Sequence, residues 1–301
     1  MTTYHEPALL NECIEALQIK SDGVYVDVTF GGGGHSKEIL KRLGDKGRLI
    51  AFDQDEDAER NAINDPRFVL VRQNYRFIKN FLRYYDAIPV DGILADLGIS
   101  SYQIDGAERG FSIRYEAELD MRMNRDSKVT ADDVLNNYPE EKLLKIFSQY
   151  GEVHNSKTLA RRIVEIRKES KLTHIEQFKT AIRPCVDKQA ESQYYAKVFQ
   201  ALRIEVNEEL DSLREMLMQT ANVLAPNGRL VVLSYHSLED RLVKNMIAKG
   251  NFEGEVEKDL FGNPQNCPFK AVNRKPIEAT EEEIKRNPRS RSAKLRIAEK
   301  N

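Results

Sequence analysis

The chain has 301 residues, 41% of them hydrophobic and 31% charged, with a net charge of −2. That length suits one large domain or two modest ones with ample core, and no apolar run approaches the roughly 20 residues of a membrane span. The three cysteines, Cys13, Cys185 and Cys267, lie far apart and suggest neither a disulfide scaffold nor a metal-ligand cluster. No metal and no membrane are therefore expected. The first residues lack the basic-then-apolar layout of a signal peptide, and a reducing cytoplasm fits best.

Charge is unevenly spread. Residues 156–183 hold eight Lys/Arg against three acids, and 285–301 hold seven against one. Such islands on a chain that is acidic overall are compatible with a polyanionic partner at defined places. Taken alone, the first island reads better as a solvated helix face.

Four β-rich runs occupy the first hundred residues: VYVDV (24–28), RLIAFD (48–53), FVLVR (68–72) and VDGILADLG (90–98). Two helical stretches lie among them. SKEILKRLG (36–44) opens with a serine in the capping position, and DEDAERNAI (55–63) carries acids in its first turn. Strands alternating with short helices predict a parallel sheet of the doubly wound α/β kind. Strand starts near 24, 48, 68 and 91 are evenly spaced, yet the next strand, GRLVVLSYH (228–236), begins only after the turn APNG. Roughly a hundred surplus residues thus interrupt the sheet after its fourth strand. They read as helical over 139–151, 156–170 and 174–183, with one long helix over about 190–224 leading back. CPFKAVN and SAKLRIA would then supply two closing antiparallel strands. The expected boundaries are a sheet domain over 1–106 and 205–301 and an inserted helical domain over 107–204.

The run DVTFGGGGHS (27–36) follows the first strand and opens a helix, the place where nucleotide-like ligands sit in such sheets. Four successive glycines imply a tight turn, a positive φ or a close ligand. A phosphate-binding P-loop is excluded because no Gly-Lys-Ser/Thr follows. A dinucleotide fingerprint fails at its third glycine, where Ser36 stands. Asp27, just before the loop, gives nothing to an anion but suits a cation. S-adenosylmethionine carries a sulfonium and an ammonium, and so fits this pattern. Asp53, at the end of the second strand, is placed to accept the two ribose hydroxyls, or else simply starts a helix. Strand four ends in DLGISSYQID (96–105), where transferases of this kind present the group to be methylated. Asp96 is the candidate that would draw the lone pair of an exocyclic amino group out of conjugation. Gln103 would reach the adenine end of the cofactor.

Together these blocks resemble one family, the bacterial ribosomal RNA small subunit methyltransferases H. The likeness runs from HEPALLNE (5–12) through YVDVTFGGGGHS, AFDQD, DGILADLGISSYQID, RGFSI, LDMRM, VFQALRIEVNEEL and NGRLVVLSYHSLEDRLVK to NPRSRSAKLRIAE (287–299). The resemblance implies a class I S-adenosylmethionine-dependent methyltransferase sheet, Rossmann-like, with a helical insertion for substrate recognition. It implies N4-methylation of a cytidine in 16S rRNA, in the decoding region of the small ribosomal subunit. By position it implies cofactor contacts from Gly33, Gly34, His35, Asp53, Tyr75, Asp96 and Gln103, beside Asp27. Tyr235 stands where phenylalanine is usual, and so does Tyr75; the likeness is weakest over 251–275. His236 either faces the substrate cytosine or bonds to Glu239 or Asp240. Phe199 and Leu202 read as helix core. Arg203 and Asn207, four apart on one face, and Asp120 with Arg122 at the start of the insertion, are candidate substrate contacts. Arg289, Arg291 and Arg296 in the basic tail are candidate phosphate contacts. Methylation of DNA or another RNA, or a non-catalytic role in ribosome assembly, are the alternatives. Oligomeric state is left open, a homodimer included.

Overall fold

A computed structural model describes residues 7–187, 189–255 and 267–301. The start of the HEPALLNE block and residues 256–266 of the weakly matching 251–275 stretch therefore lie outside the described residues. The chain divides into two units, one of residues 1–98 and 210–301 and one of residues 99–209.

The first unit is built on a single sheet. Its strands are β1 (Val24–Asp27), β2 (Arg48–Asp53), β3 (Phe68–Arg72), β4 (Val90–Asp96), β5 (Leu224–Ser234), β6 (Phe269–Ala271), β7 (Ile277–Glu278) and β8 (Lys294–Lys300). They lie in the order β3-β2-β1-β4-β5-β8-β6, with β7 on the edge of β8. The first five are parallel, and β8 runs antiparallel between β5 and β6. This is the class I methyltransferase arrangement. The order reverses between β1 and β4, which opens a crevice at their carboxyl ends.

Central strands covered on both faces read as apolar runs, and here Leu49, Ile50, Ile93, Leu94, Val231 and Leu233 are fully buried. Flanking helices are α1 (Leu10–Ala16), α2 (Gly34–Arg42), α3 (Ile78–Tyr84), and, after the insertion, α10 (Glu209–Val223), α11 (Ser237–Lys249) and α12 (Glu281–Arg286). The APNG turn lies inside β5: Leu224 already pairs with Val90, and the register slips before Gly92 pairs with Arg229. Asn227 absorbs the irregularity at φ 62.

Two expected helices differ. The helix after the glycines starts at Gly34, with Gly33 as its cap, because Ser36 turns inward onto Asp27 instead of capping. The 55–63 stretch forms only a 3-10 turn, Glu56–Asn61, opened by Asp55, whose side chain accepts from the Asp57 amide.

The second unit is helical, with α4 (Ser101–Asp105), α5 (Ala131–Asn137), α6 (Glu140–Gln149), α7 (Ser156–Ile166), α8 (Ile175–Ile182) and α9 (Glu191–Val206). It has its own core, including Leu135, Phe147, Ile163, Phe178, Phe199 and Leu202. Phe199 and Leu202 are thus core residues. The long helix expected over 190–224 is two helices, α9 and α10. Glu208 adopts φ 48 between them, and the Asn207 side chain is occupied by the backbone at Met121 and Met123. The division between units falls at 98 and 209, so Gln103 belongs to the helical unit.

Candidate active site

In the sheet unit, three carboxylates end three neighbouring strands: Asp27 on β1, Asp53 on β2 and Asp96 on β4. The chain after β1 then makes the glycine turn, with Gly31 at φ 50 and Gly33 at φ 74. A Cβ at Gly33 would lie 2.9 Å from the Phe30 ring, and one at Gly34 would lie 2.3 Å from Pro7 Cγ. The protein's own packing therefore demands both glycines.

Hydrogen bonds fix the turn from behind. Asp27 is almost wholly buried and accepts from Ser36 Oγ at 2.7 Å and from the Thr29 amide at 3.1 Å. Asp53 Oδ2 accepts from the Gly31 amide at 2.7 Å, and its Oδ1 accepts from the Asp55 amide at 2.9 Å. Each oxygen keeps a further lone pair for another donor. The Asp96 amide donates to Thr29 Oγ1 at 2.6 Å, linking the end of β4 to the β1 turn. His35, in the first turn of α2, is 5% exposed, and its Nε2 has no hydrogen-bond partner among the described residues. Its Nδ1 lies 3.8 Å from Asp96 Oδ2. Tyr75 opens the turn after β3, where Asn74 Nδ2 donates to Gln54 Oε1 at 2.9 Å and so ties that turn to the residue after Asp53.

Burial dominates the acidities here. It pushes Asp53 up to about 6 against the hydrogen bonds from the Asp55 and Gly31 amides. It pushes Asp96 up to about 7, opposed by the hydrogen bond from Tyr235 and assisted by the nearby charge of Glu239. Asp27 is raised, again chiefly by burial, and burial lowers His35. Carboxylates raised by desolvation in a crevice mark a site that gains from a cationic ligand. A buried imidazole nitrogen without a partner, a glycine turn and three acids make a donor and acceptor set that fits S-adenosylmethionine.

Most of the other candidate residues are held by partners of their own. His236 caps α11, and its Nε2 lies 3.2 Å from Glu239 Oε1. Arg296 is buried on β8 and holds Asp240 with bonds of 2.6 and 3.0 Å, so it is no exposed phosphate contact. In the same tail Arg291 is exposed and Arg289 half-buried. Within the helical unit, Gln103 Oε1 accepts from the Ser100 amide at 3.0 Å. Arg122 grips Asp120 with bonds of 2.8 and 2.7 Å and also donates to the carbonyls of Arg125 and Ser127. Arg203 pairs with Glu209 at 2.8 and 2.9 Å. Asn207 bonds the backbone of Met121, Met123 and Arg203. These four residues pin the 120–127 loop and the end of α9. The residue pattern could not show this, because each pair joins an arginine or amide to a partner chosen by the fold.

One contact was not anticipated. The Tyr235 hydroxyl donates to Asp96 Oδ1 at 2.6 Å. The two residues are 139 apart in sequence, and only the adjacency of β4 and β5 joins them.

Residues 2–301 match the family model described as the MraW methylase family. A protein of Bacteroides fragilis (strain YCH46) named ribosomal RNA small subunit methyltransferase H is 59% identical over 299 residues, covering 99% of this chain and 98% of its own. A protein of the same name from Flavobacterium johnsoniae is 53% identical over 303 residues, covering all of both chains. Among solved structures, an rRNA methylase from Streptococcus thermophilus aligns with 97% of this chain and 93% of its own, at 11% identity and a TM-score of 0.42. With its class I sheet and its cofactor crevice, this chain belongs to the MraW methylase family and is an S-adenosylmethionine-dependent methyltransferase.

Proposed function

We propose that this chain methylates N4 of a cytidine in 16S rRNA, in the decoding region of the small ribosomal subunit. The observation that carries the reading is Asp96, a recessed carboxylate at the end of β4 beside the glycine turn, with 24% of its side chain reachable by solvent. The names of the full-length relatives support the RNA substrate.

S-adenosylmethionine supplies an electrophilic methyl carried on a sulfonium. Gly33 and Gly34 would hold its methionine part against the backbone, with the His35 imidazole beside them. Asp27 acts from behind the turn, where its charge favours a cationic ligand. Asp53 accepts the ribose hydroxyls and Tyr75 flanks the adenine. Asp96 accepts a hydrogen bond from the cytosine amino group, which turns the nitrogen lone pair out of conjugation with the ring. The carboxylate then stabilises positive charge as it develops on that nitrogen. The new N–C bond forms as the old C–S bond breaks, its electrons staying on sulfur, and the nitrogen loses a proton.

Flipping a cytosine out of its stack costs about a few kcal/mol, which contacts elsewhere on the RNA must offset. The exposed Lys157, Arg161, Lys168, Lys171 and Arg183 of the helical unit are suited to phosphates, as is Arg291 in the tail. Asp120, Arg122, Arg203 and Asn207 would act indirectly, by holding the 120–127 loop and the end of α9 in shape. His236 belongs to the cap of α11.

Incubation with labelled S-adenosylmethionine and, separately, small subunits, naked 16S rRNA, tRNA or DNA tests the reading. Nucleoside digestion should return N4-methylcytidine from the small-subunit RNA. Label on another nucleoside, or only on tRNA or DNA, would overturn it.

A further inference from the structure

We propose that Tyr235 is a positioning residue for the methyl transfer: its hydroxyl holds one oxygen of Asp96 and leaves the other, Oδ2, to accept the substrate amino group. The proposal rests on the reading of Asp96 as that acceptor.

The geometry begins in the sheet. Asp96 lies opposite Leu233 in the parallel β4–β5 ladder, and the Leu97 amide donates to the Leu233 carbonyl at 3.0 Å. Two residues beyond Leu233 the chain leaves β5 at Tyr235, whose amide donates to Glu239 Oε2 at 2.9 Å. Glu239 sits in the first turn of α11, so the turn after β5 is fixed by the helix it opens. The Tyr235 ring lies over Gly98, where a Cβ would come within 3.4 Å of it. Gly98 has φ +96, a conformation that L side chains rarely adopt. A tightly turned β4 end and a fixed β5 end thus bring hydroxyl and carboxylate to 2.6 Å.

The carboxylate would otherwise be loosely set. The terminal torsion of an aspartate is broad and roughly two-fold, so a lone carboxylate presents either oxygen. Tyr235 removes that freedom. Oδ2 is 3.8 Å from His35 Nδ1, beyond hydrogen-bond range, and so remains open to a donor. The groups facing Asp96 from each packed element are Tyr235 after β5, Glu239 on α11, His35 on α2, Asp27 on β1 and Cys13 on α1. Burial keeps the Tyr235 hydroxyl protonated, so it stays a donor throughout the working range. In the reaction the nitrogen–carbon bond forms, the carbon–sulfur pair remains on sulfur, and the proton released by nitrogen passes to Oδ2.

Tyr235→Phe removes only the hydroxyl. The acid limb of the kcat/KM profile should move to higher pH by about one unit, the scale of one hydrogen bond to a charged group. The Asp96 carboxyl resonance, followed by 13C NMR in protein without cofactor and assigned with Asp96→Asn, should titrate higher by a similar step. Site-specific 3-fluorotyrosine at 235, a stronger donor, should move both the other way; it keeps the ring and guards against a folding defect in the first variant. Unmoved limbs and resonances in both variants, with Asp96→Asn inactive, would overturn the role of Tyr235 alone. An active Asp96→Asn would instead overturn the reading of Asp96 itself.

Discussion

The Gly31 amide donates to Asp53 Oδ2 at 2.7 Å, so the last residue of β2 holds the turn that follows β1. The same carboxylate is the proposed acceptor for the ribose hydroxyls. Asp53→Ala should therefore weaken the cofactor twice over, by losing the acceptor and by loosening the turn. Hydrogen bonds to charged groups contribute about 1.5–3 kcal/mol, so affinity measured by calorimetry should fall by roughly ten- to a hundredfold. Unchanged affinity would leave Asp53 with only its structural bonds to the Gly31 and Asp55 amides.

The glycine turn makes a different forecast. Because Gly33 sits at φ +74 with its missing Cβ 2.9 Å from Phe30, Gly33→Ala should destabilise the protein even without cofactor. Such backbone strain costs about 1–3 kcal/mol. Thermal unfolding of the cofactor-free variant should show a lowered Tm. An unchanged Tm would mean the glycine serves the ligand only.

Cofactor binding should depend on pH in a fixed direction. Asp53 and Asp96, raised to about 6 and about 7, are partly protonated in mild acid. Ionising them favours a cationic ligand, so affinity should climb as pH rises from 5 to about 7.5 and then level. In the cofactor-free protein the linkage has the opposite sign. The folded state holds these protons more tightly than the unfolded chain, whose carboxylates titrate near about 4, so stability should fall as pH rises from about 4 to 7. Calorimetry and urea unfolding across this range measure the two slopes, and Asp96→Asn should remove the upper part of each. A flat binding profile would contradict the assignment of both acids.

Two arginines of the tail should behave oppositely. Arg296 is 9% exposed at its side chain and Asp240 15%, so Arg296→Ala leaves a recessed carboxylate without its partner. Breaking such a pair costs about 3–5 kcal/mol, and Tm should drop clearly. Arg291→Ala should leave Tm alone, raise KM for the small subunit and flatten its salt dependence. Equal effects of the two on Tm would contradict this division.

The strands and the insertion were legible because central parallel strands are apolar runs and an interrupted spacing is visible without any contact. The glycine turn and the three strand-end acids were legible because the chemistry of a cofactor crevice is written in one short segment each. The break at Glu208 was not, since a left-handed residue in a helix-forming stretch depends on what Asn207 meets in the 121–123 loop. Ser36 looks like a cap in sequence, but a buried Asp27 draws it inward. Arg296 reads as a basic tail until β8 places it beside α11. The bond from Tyr235 to Asp96 depends wholly on strand adjacency, and in sequence the hydroxyl is only a departure from phenylalanine.

The central claim is that Asp96 directs a methyl group to N4 of a 16S rRNA cytidine. Mass spectrometry of 16S rRNA from a strain lacking this protein, complemented with the wild-type chain or with Asp96→Asn, tests it most directly. N4-methylcytidine should be absent without the protein, restored by the wild type and still absent with the variant. Its persistence in the deletion strain, or its restoration by Asp96→Asn, would contradict the claim.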